Sequence, residues 1–228
     1  SRTGVHVVAH ATLTPVGLAH AAGPRGARLG AGPVDDWVDL RDELGRGHRH
    51  LPVPAQLALG AGRRALALLR PRLDAVPAER RELVVASACG AASTHARMDA
   101  TILSEGARLL SPLAAPHFSV NLLGAQLSAE LAAHGAATTF TTTTTAAVDA
   151  LRAGAARLDA GRCDLVVVVT VEHGAPLVHR SGAETGALAL VLARTARPTA
   201  APGGTPAPVL RSERRTWHAG ALPRALAG

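Results

Sequence analysis

The sequence predicts an α/β layered domain: a five-stranded mixed sheet with helices on both faces. Three observations carry that reading. Five short segments are rich in apolar or β-branched residues. Stretches with Ala and Leu at helical spacing lie between several of them. One segment, Val166–Val169, is four consecutive valines, the composition of a strand covered on both faces. With 228 residues the chain fits one domain. That domain is expected over 1–195, with a partly ordered Pro/Gly/Arg-rich tail over 196–228.

Each element has its own justification. Val5–Leu13 reads as an opening strand, and the Gly-, Pro- and His-rich stretch 14–52 as mostly loop. Pro54–Arg70 sets Leu57, Ala61, Ala65, Leu68 and Leu69 along one helical face. Glu82–Ser87 is the second strand. Asn121–His134 carries Leu122, Leu123, Ala125, Leu127, Ala129 and Leu131 and reads as a helix. Thr138–Thr144 is the third strand, and six of the seven residues from Thr139 to Thr145 are Thr. Ala146–Leu158 follows as a helix with Ala147, Leu151, Ala155 and Leu158 apolar, closed by Gly161 as a C-terminal glycine closes helices. Asp164–Val171 and Ala187–Ala193 complete the sheet, and a further short strand is expected near Val209–Ser212. Helices between strands imply parallel pairing, and the last two strands an antiparallel close.

Composition narrows the function. Aromatics are 2% of the chain, so Ala, Val and Leu must build the core. The net charge of +7 comes from 24 basic residues, all Arg. They are scattered, clustering only at Arg63–Arg64, Arg80–Arg81 and Arg211–Arg215, with no aromatic-interleaved stripe, so no nucleic-acid partner is expected. No apolar run reaches the length of a membrane span and no cleavable apolar start is seen, so no membrane partner is expected and a cytoplasmic setting is. Two cysteines, Cys89 and Cys163, cannot form a disulfide framework. His48 and His50 have no acidic or Cys neighbours at ligand spacing, so no metal is expected. Neither a G-x-G-x-x-G after a strand nor a Walker A sequence is present, so no cofactor is expected. Cys163, at the entry to the Val-rich strand, reads as a small buried residue.

The informative stretch is 135–151, where a β-branched strand runs directly into an Ala-rich helix. The first turn of such a helix presents free N–H groups and a positive dipole end. A Cys at the elbow would have a depressed pKa and accept acyl groups well. Here the elbow carries Thr.

These residues, with others along the chain, resemble the N-terminal half of a β-ketoacyl synthase, of the thiolase-like superfamily. Val5 to Gly17 is similar to the family's opening strand and its Ser/Thr-Pro-x-Gly turn. Val84 to Gly90 is similar to its second strand and Gly-rich turn. Ser111, Pro112, Pro116 and Asn121 fall on its Ser-Pro-x-x-x-Pro and Asn. From Gly135, counted without gaps, Thr142-Thr143-Thr144 falls on Thr-Ala-Cys and Ala150-Leu151 on Ala-Ile. Gly161 to Asp164 resembles Gly-x-Ala-Asp, Glu172 the Glu closing the next strand, and Glu184 to Ala187 the Glu-Gly-Ala-Gly before the last.

The resemblance implies a single thiolase-like half. It also implies that Thr144 replaces the family's nucleophilic Cys, so no catalytic residue is expected in this chain. The family's second half, with both catalytic His and the catalytic Lys, has no counterpart in these residues. A ketosynthase-like chain without its Cys is similar to the chain length factors of type II polyketide systems. The resemblance then implies an active ketosynthase subunit and an acyl carrier protein as partners, in polyketide or fatty acid chain elongation. Cys89, Ala114, Phe118 and Phe140 would border the acyl tunnel or the interface. Thr138, Thr139, Thr141, Thr142 and Thr143 would form the strand at the dimer seam. Two other readings stand beside it: a minimal acyltransferase or hydrolase using Cys89 or Thr144, and a scaffold that binds the carrier protein through its Arg surface.

Overall fold

A computed structural model describes residues 3–14, 17–22, 44–48, 51–88, 90–142, 145–172 and 186–196. Six strands, β1 (Thr3–Thr14), β2 (Gly17–Ala22), β3 (Arg81–Ala86), β4 (Ala137–Phe140), β5 (Leu165–Glu172) and β6 (Gly186–Ala196), form one sheet in the order β2-β1-β6-β5-β3-β4. β3 pairs in parallel with β4 and with β5, and the remaining pairs are antiparallel. The mixed α/β sheet expected from the sequence is therefore present, with β2 as an additional edge strand inside the stretch read as loop. Its residues, Gly-Leu-Ala-His-Ala-Ala, contain nothing β-branched. They extend because β1 offers an antiparallel ladder from Ala9↔Ala22 to Thr14↔Gly17.

Among the described residues there are five helices, α1 (Val53–Ala67), α2 (Arg70–Asp74), α3 (Ala92–Glu105), α4 (Leu122–Glu130) and α5 (Ala146–Asp159), of which α1, α4 and α5 pack on the sheet. Two longer-range cores result. α1 and α4 cover one face over Leu83, Val85, Leu165, Val167, Val169, Ala189 and Val191. α5 covers the other over Val84, Ala86, Val166, Val168, Leu188, Leu190 and Leu192. Alternate residues of β5 thus enter opposite cores, and every residue of that strand is buried, as the valine run requires.

Alanines let α1 lie close to the sheet. Ala58, Ala61 and Ala65 on the helix and Ala9, Ala11, Ala187 and Ala189 on the strands are all almost or fully inaccessible to solvent. Pro54 sits in the first turn, where no intrahelical N–H is lost. On the opposite face α5 crosses β5 and β6 at Gly154, where a Cβ would stand 3.0 Å from Val166 Cγ1 and 3.2 Å from Val168 Cγ2.

The C-terminal end of α5 closes as expected. Gly161 has φ +68°, its N–H donates to Leu158 O (3.0 Å), and the Arg162 N–H donates to Arg157 O (3.1 Å). Two of the helix's terminal carbonyls are satisfied by this left-handed turn. Arg80 then locks the turn to the start of β5. Its Nε and one terminal nitrogen each reach Asp164 at 2.9 Å, and it donates to the Gly161 and Arg162 carbonyls.

One expected element is corrected in extent. The Thr-rich strand stops at Phe140, so Thr138 and Thr139 lie in β4 while Thr141 and Thr142 lie beyond it. Its partner explains this. β3 ends at Ala86, the Ser87 N–H donates to the Phe140 carbonyl (3.0 Å), and among the described residues no ladder continues. Cys89, Thr143, Thr144, the pair Glu184-Thr185 and the strand expected near Val209–Ser212 lie outside the described residues.

Candidate functional site

The parallel strands β3 and β4 end side by side, and a cleft of about 210 Å3 opens beyond their C-terminal ends. Ligands of open α/β sheets bind at this edge. The turn from β3 into α3 forms the floor, with Ser87, Ala88, Gly90, Ala91 and Thr94. β4 and its continuation contribute Thr139 and Thr141. Leu122, Leu123 and Gln126 of α4 form one wall, and Pro52, Pro54 and Ala55 at the start of α1 another. His117, Ser119 and Val120 close the mouth together with His95. The volume exceeds the roughly 150 Å3 that accepts a benzene-sized guest in an engineered protein cavity.

The lining is mainly apolar and, among the described residues, contains no Arg, Asp or Glu. Several groups fix its shape. Glu172, buried at the end of β5, accepts the Ala88 N–H through Oε1 at 2.7 Å and so holds the floor turn. Gly124 lets α4 approach β4, since a Cβ there would stand 3.1 Å from Thr139 Oγ1. His95 Nε2 donates to the Phe118 carbonyl at 2.8 Å, and the two rings lie 4.9 Å apart.

The structure separates the sequence-predicted residues. Thr139 faces the cleft, as do Ala88 and Gly90 on either side of Cys89. Phe118 is 62% exposed and is not among the lining residues. Ala114 is half-buried in the 3-10 segment Pro112–Phe118 and is not among the lining residues. Phe140 points to the opposite face and packs against the α5 core. Thr138 also faces α5, where its Oγ1 accepts from Arg157 (2.9 Å). Arg157 in turn pairs with the buried Glu82 at 2.7 Å. Thr142 Oγ1 lies 3.1 Å from Thr145 Oγ1, in the elbow that leads into α5.

Cys163 is buried as the sequence suggested. Desolvation pushes its thiol up to about 11, so it remains a thiol near neutrality. His48, in the stretch read as mostly loop, instead packs beside Glu130 and Arg63. Its Nε2 lies 3.2 Å from Glu130, whose other oxygen accepts from Arg63 at 2.9 Å. Sequence reasoning missed Ser87, Leu123, Glu172 as a clamp and the Glu82–Arg157–Thr138 chain. None has a local pattern; each acts only once distant segments meet.

The β-ketoacyl synthase N-terminal domain family matches residues 49–200. Among solved structures, the ishigamide ketosynthase/chain length factor is similar, with a TM-score of 0.64 and 17% identity. The alignment covers 83% of this chain and 62% of that one, so the chain spans about three fifths of its length. A ketosynthase in complex with its chain length factor from Xenorhabdus doucetiae has a TM-score of 0.62 and 15% identity, over 86% of this chain and 81% of that one. A β-ketoacyl synthase from Burkholderia phymatum STM815 has a TM-score of 0.63 and 14% identity, over 85% and 60%. No curated protein matches the chain. At these identities the structural likeness is one of fold.

Proposed function

Because the chain belongs to the β-ketoacyl synthase N-terminal domain family, we propose that it is a non-catalytic ketosynthase-like subunit. In this reading it pairs with an active ketosynthase and shapes the acyl pocket during chain elongation. The observation that carries the proposal is the elbow between β4 and α5, which holds Thr141 to Thr145 and no Cys. A threonine hydroxyl needs a base to attack a thioester, whereas a thiolate does not. Two further features support it. The cleft beside the elbow has mostly apolar walls, suited to an acyl chain. β4 lies at the end of the sheet, and among the described residues its outer edge has no strand partner.

The test has two parts. Incubated with a radiolabelled acyl thioester, the purified chain should retain no covalent label. Co-expressed with a Cys-containing ketosynthase, it should elute with it as a heterodimer that takes up label on the other subunit only. An acyl carrier protein would then bind the pair. Label on this chain that survives Cys89→Ser and disappears in Thr144→Ala would overturn the proposal.

A second reading has one observation in its favour: Ala88 and Gly90, the neighbours of Cys89, both line the cleft. Label that disappears with Cys89→Ser would establish that acyltransferase or hydrolase reading instead.

A further inference from the structure

Residues 91–118 leave the sheet and return to it at the mouth of the same cleft. α3 leads out, with His95 of its first turn lining the cleft. The 3-10 segments Ala107–Leu109 and Pro112–Phe118 lead back, and His117 and Ser119 line the cleft on the return. The two sides of the mouth are far apart in sequence, yet one hydrogen bond joins them. His95 Nε2 donates to Phe118 O at 2.8 Å across 23 residues, and the rings lie 4.9 Å apart at 44°. A carbonyl oxygen carries no proton, so the histidine supplies it.

The anchors of this excursion lie outside it. Before it, Glu172 Oε1 accepts the Ala88 N–H at 2.7 Å. After it, α4 buries Gly124 and Leu127. Between these anchors support is thin. α3 packs mainly on the two 3-10 segments, and among its described side chains only Thr94 is buried. Leu103, Leu109 and Phe118 are exposed. Each junction is a joint. At the first, a Cβ on Gly90 would stand 2.5 Å from Ser87 Oγ, so glycine is required. At the second, the Asn121 N–H reaches Ser119 Oγ at only 3.3 Å, a long bond. Movement between packed bodies concentrates at such joints. With so little burial to lose, one hydrogen bond and one ring contact are a large share of what keeps the two sides together.

We propose that His95 is a clasp that sets the width of the cleft mouth, and that the excursion 91–118 parts from the α4 side to admit a ligand. The proposal rests on the cleft being a binding site, as in the reading above, and adds how that site is entered. His95 acts as a positioning residue. A small thiol reagent tests it without an acyl ligand, so its failure is distinct from failure of the acyl pocket.

The full-length chain carrying Cys89→Ser and Ser87→Cys would be reacted with 4,4′-dithiodipyridine, a neutral thiol reagent. Position 87 lines the cleft and is only 6% exposed, so its thiol reports opening of the mouth. Buried Cys163 reports global unfolding in the same sample. Adding His95→Phe keeps a ring against Phe118 and removes the donor. It should speed the cleft thiol about two- to tenfold, the range of one net hydrogen bond, and leave Cys163 unchanged. His95→Gln, whose amide still donates, should stay near the parent rate. An unchanged cleft rate in His95→Phe would overturn the clasp and leave the acyl pocket standing. Equal acceleration at Cys163 would overturn it too, since the histidine would then act on overall stability. So would equal rates in His95→Gln and His95→Phe. If the thiol-bearing chain fails to fold, amide hydrogen exchange of the wild-type and His95→Phe chains decides. Faster exchange on both sides of the mouth, at Thr94–Ala96 and Ser119–Leu122, with β5 unchanged is expected, and acceleration on fewer than both sides overturns the proposal.

Discussion

Arg157 ties three elements together through one guanidinium. It reaches from α5 to Glu82 on β3 and Thr138 on β4, at 2.7 and 2.9 Å. Glu82 is buried, so removing its partner leaves a carboxyl group without compensation. Arg157→Met should cost about 3 kcal/mol of unfolding free energy in urea. Adding Glu82→Gln should recover much of that loss, because a neutral amide tolerates the site better. Equal losses in the single and double variants would show that packing by the arginine stem is what matters.

Two other carboxylates give the molecule an acid limit. The hydrogen bond from Arg63, then that from His48, lowers Glu130, and the Arg80 hydrogen bond lowers Asp164. With folded pKa values below the unfolded ones, the folded state binds fewer protons through this range. The stabilisation is full above the ordinary carboxylate range near pH 4 and is lost as pH falls through the lowered values. Both groups are well exposed, so each contributes less than about 1 kcal/mol. The urea midpoint should therefore fall modestly below pH 4. A Glu130→Gln/Asp164→Asn variant should show a shallower fall. An unchanged acid slope in that variant would assign the acid sensitivity elsewhere.

At the scale of elements, α5 lies close over β5 and β6 at Gly154. Gly154→Ala would gain up to about 1 kcal/mol of helix propensity. Its Cβ would meet Val166, Val168 and Leu192 at 3.0, 3.2 and 3.3 Å. β-branched neighbours on a central strand cannot swing aside, so overpacking at about 1–3 kcal/mol prevails. A net fall in thermal midpoint is expected, and a rise would mean that α5 shifts freely over the sheet.

Elements differ in how openly the sequence announces them. β5 and β6 are legible because alternate Val, Leu and Ala fill two cores at once. α5 is legible from its apolar face and from Gly161. α3 is not, because among its described side chains only Thr94 is buried, and a helix without an apolar stripe has no period to read. The elbow could be found because strand and helix are adjacent in sequence. The cleft could not, because its walls come from stretches around residues 54, 90, 122 and 140 that only the fold assembles.

For the molecule as a whole, the open edge of β4 sets how a partner could join. The Leu83 N–H donates to Ala136 O at 3.1 Å and the Ser87 N–H to Phe140 O at 3.0 Å. Backbone polar groups alternate sides along a strand, so residues 138 and 140 face β3 while Ala137 and Thr139 face outward. Thr139→Pro should therefore weaken assembly with a ketosynthase and leave the monomer folded, since only an outward donor is removed. Phe140→Pro should instead destabilise the monomer. Elution of the Thr139→Pro variant in an undiminished complex would rule out this edge as the seam.

The modest burial of α3 has a consequence in time. Its main packing partners are the two 3-10 segments Ala107–Leu109 and Pro112–Phe118, which are themselves largely exposed. A 14-residue helix so supported is marginal by itself. It can unravel without disturbing the sheet. Its amide protons should exchange with solvent deuterium orders of magnitude faster than those of β5. Since its first turn is part of the cleft wall, such openings would widen the cleft from that side. A molecule held in the cleft would then register as slower exchange at Ala92 to His95, an occupancy readout that needs no catalysis at all.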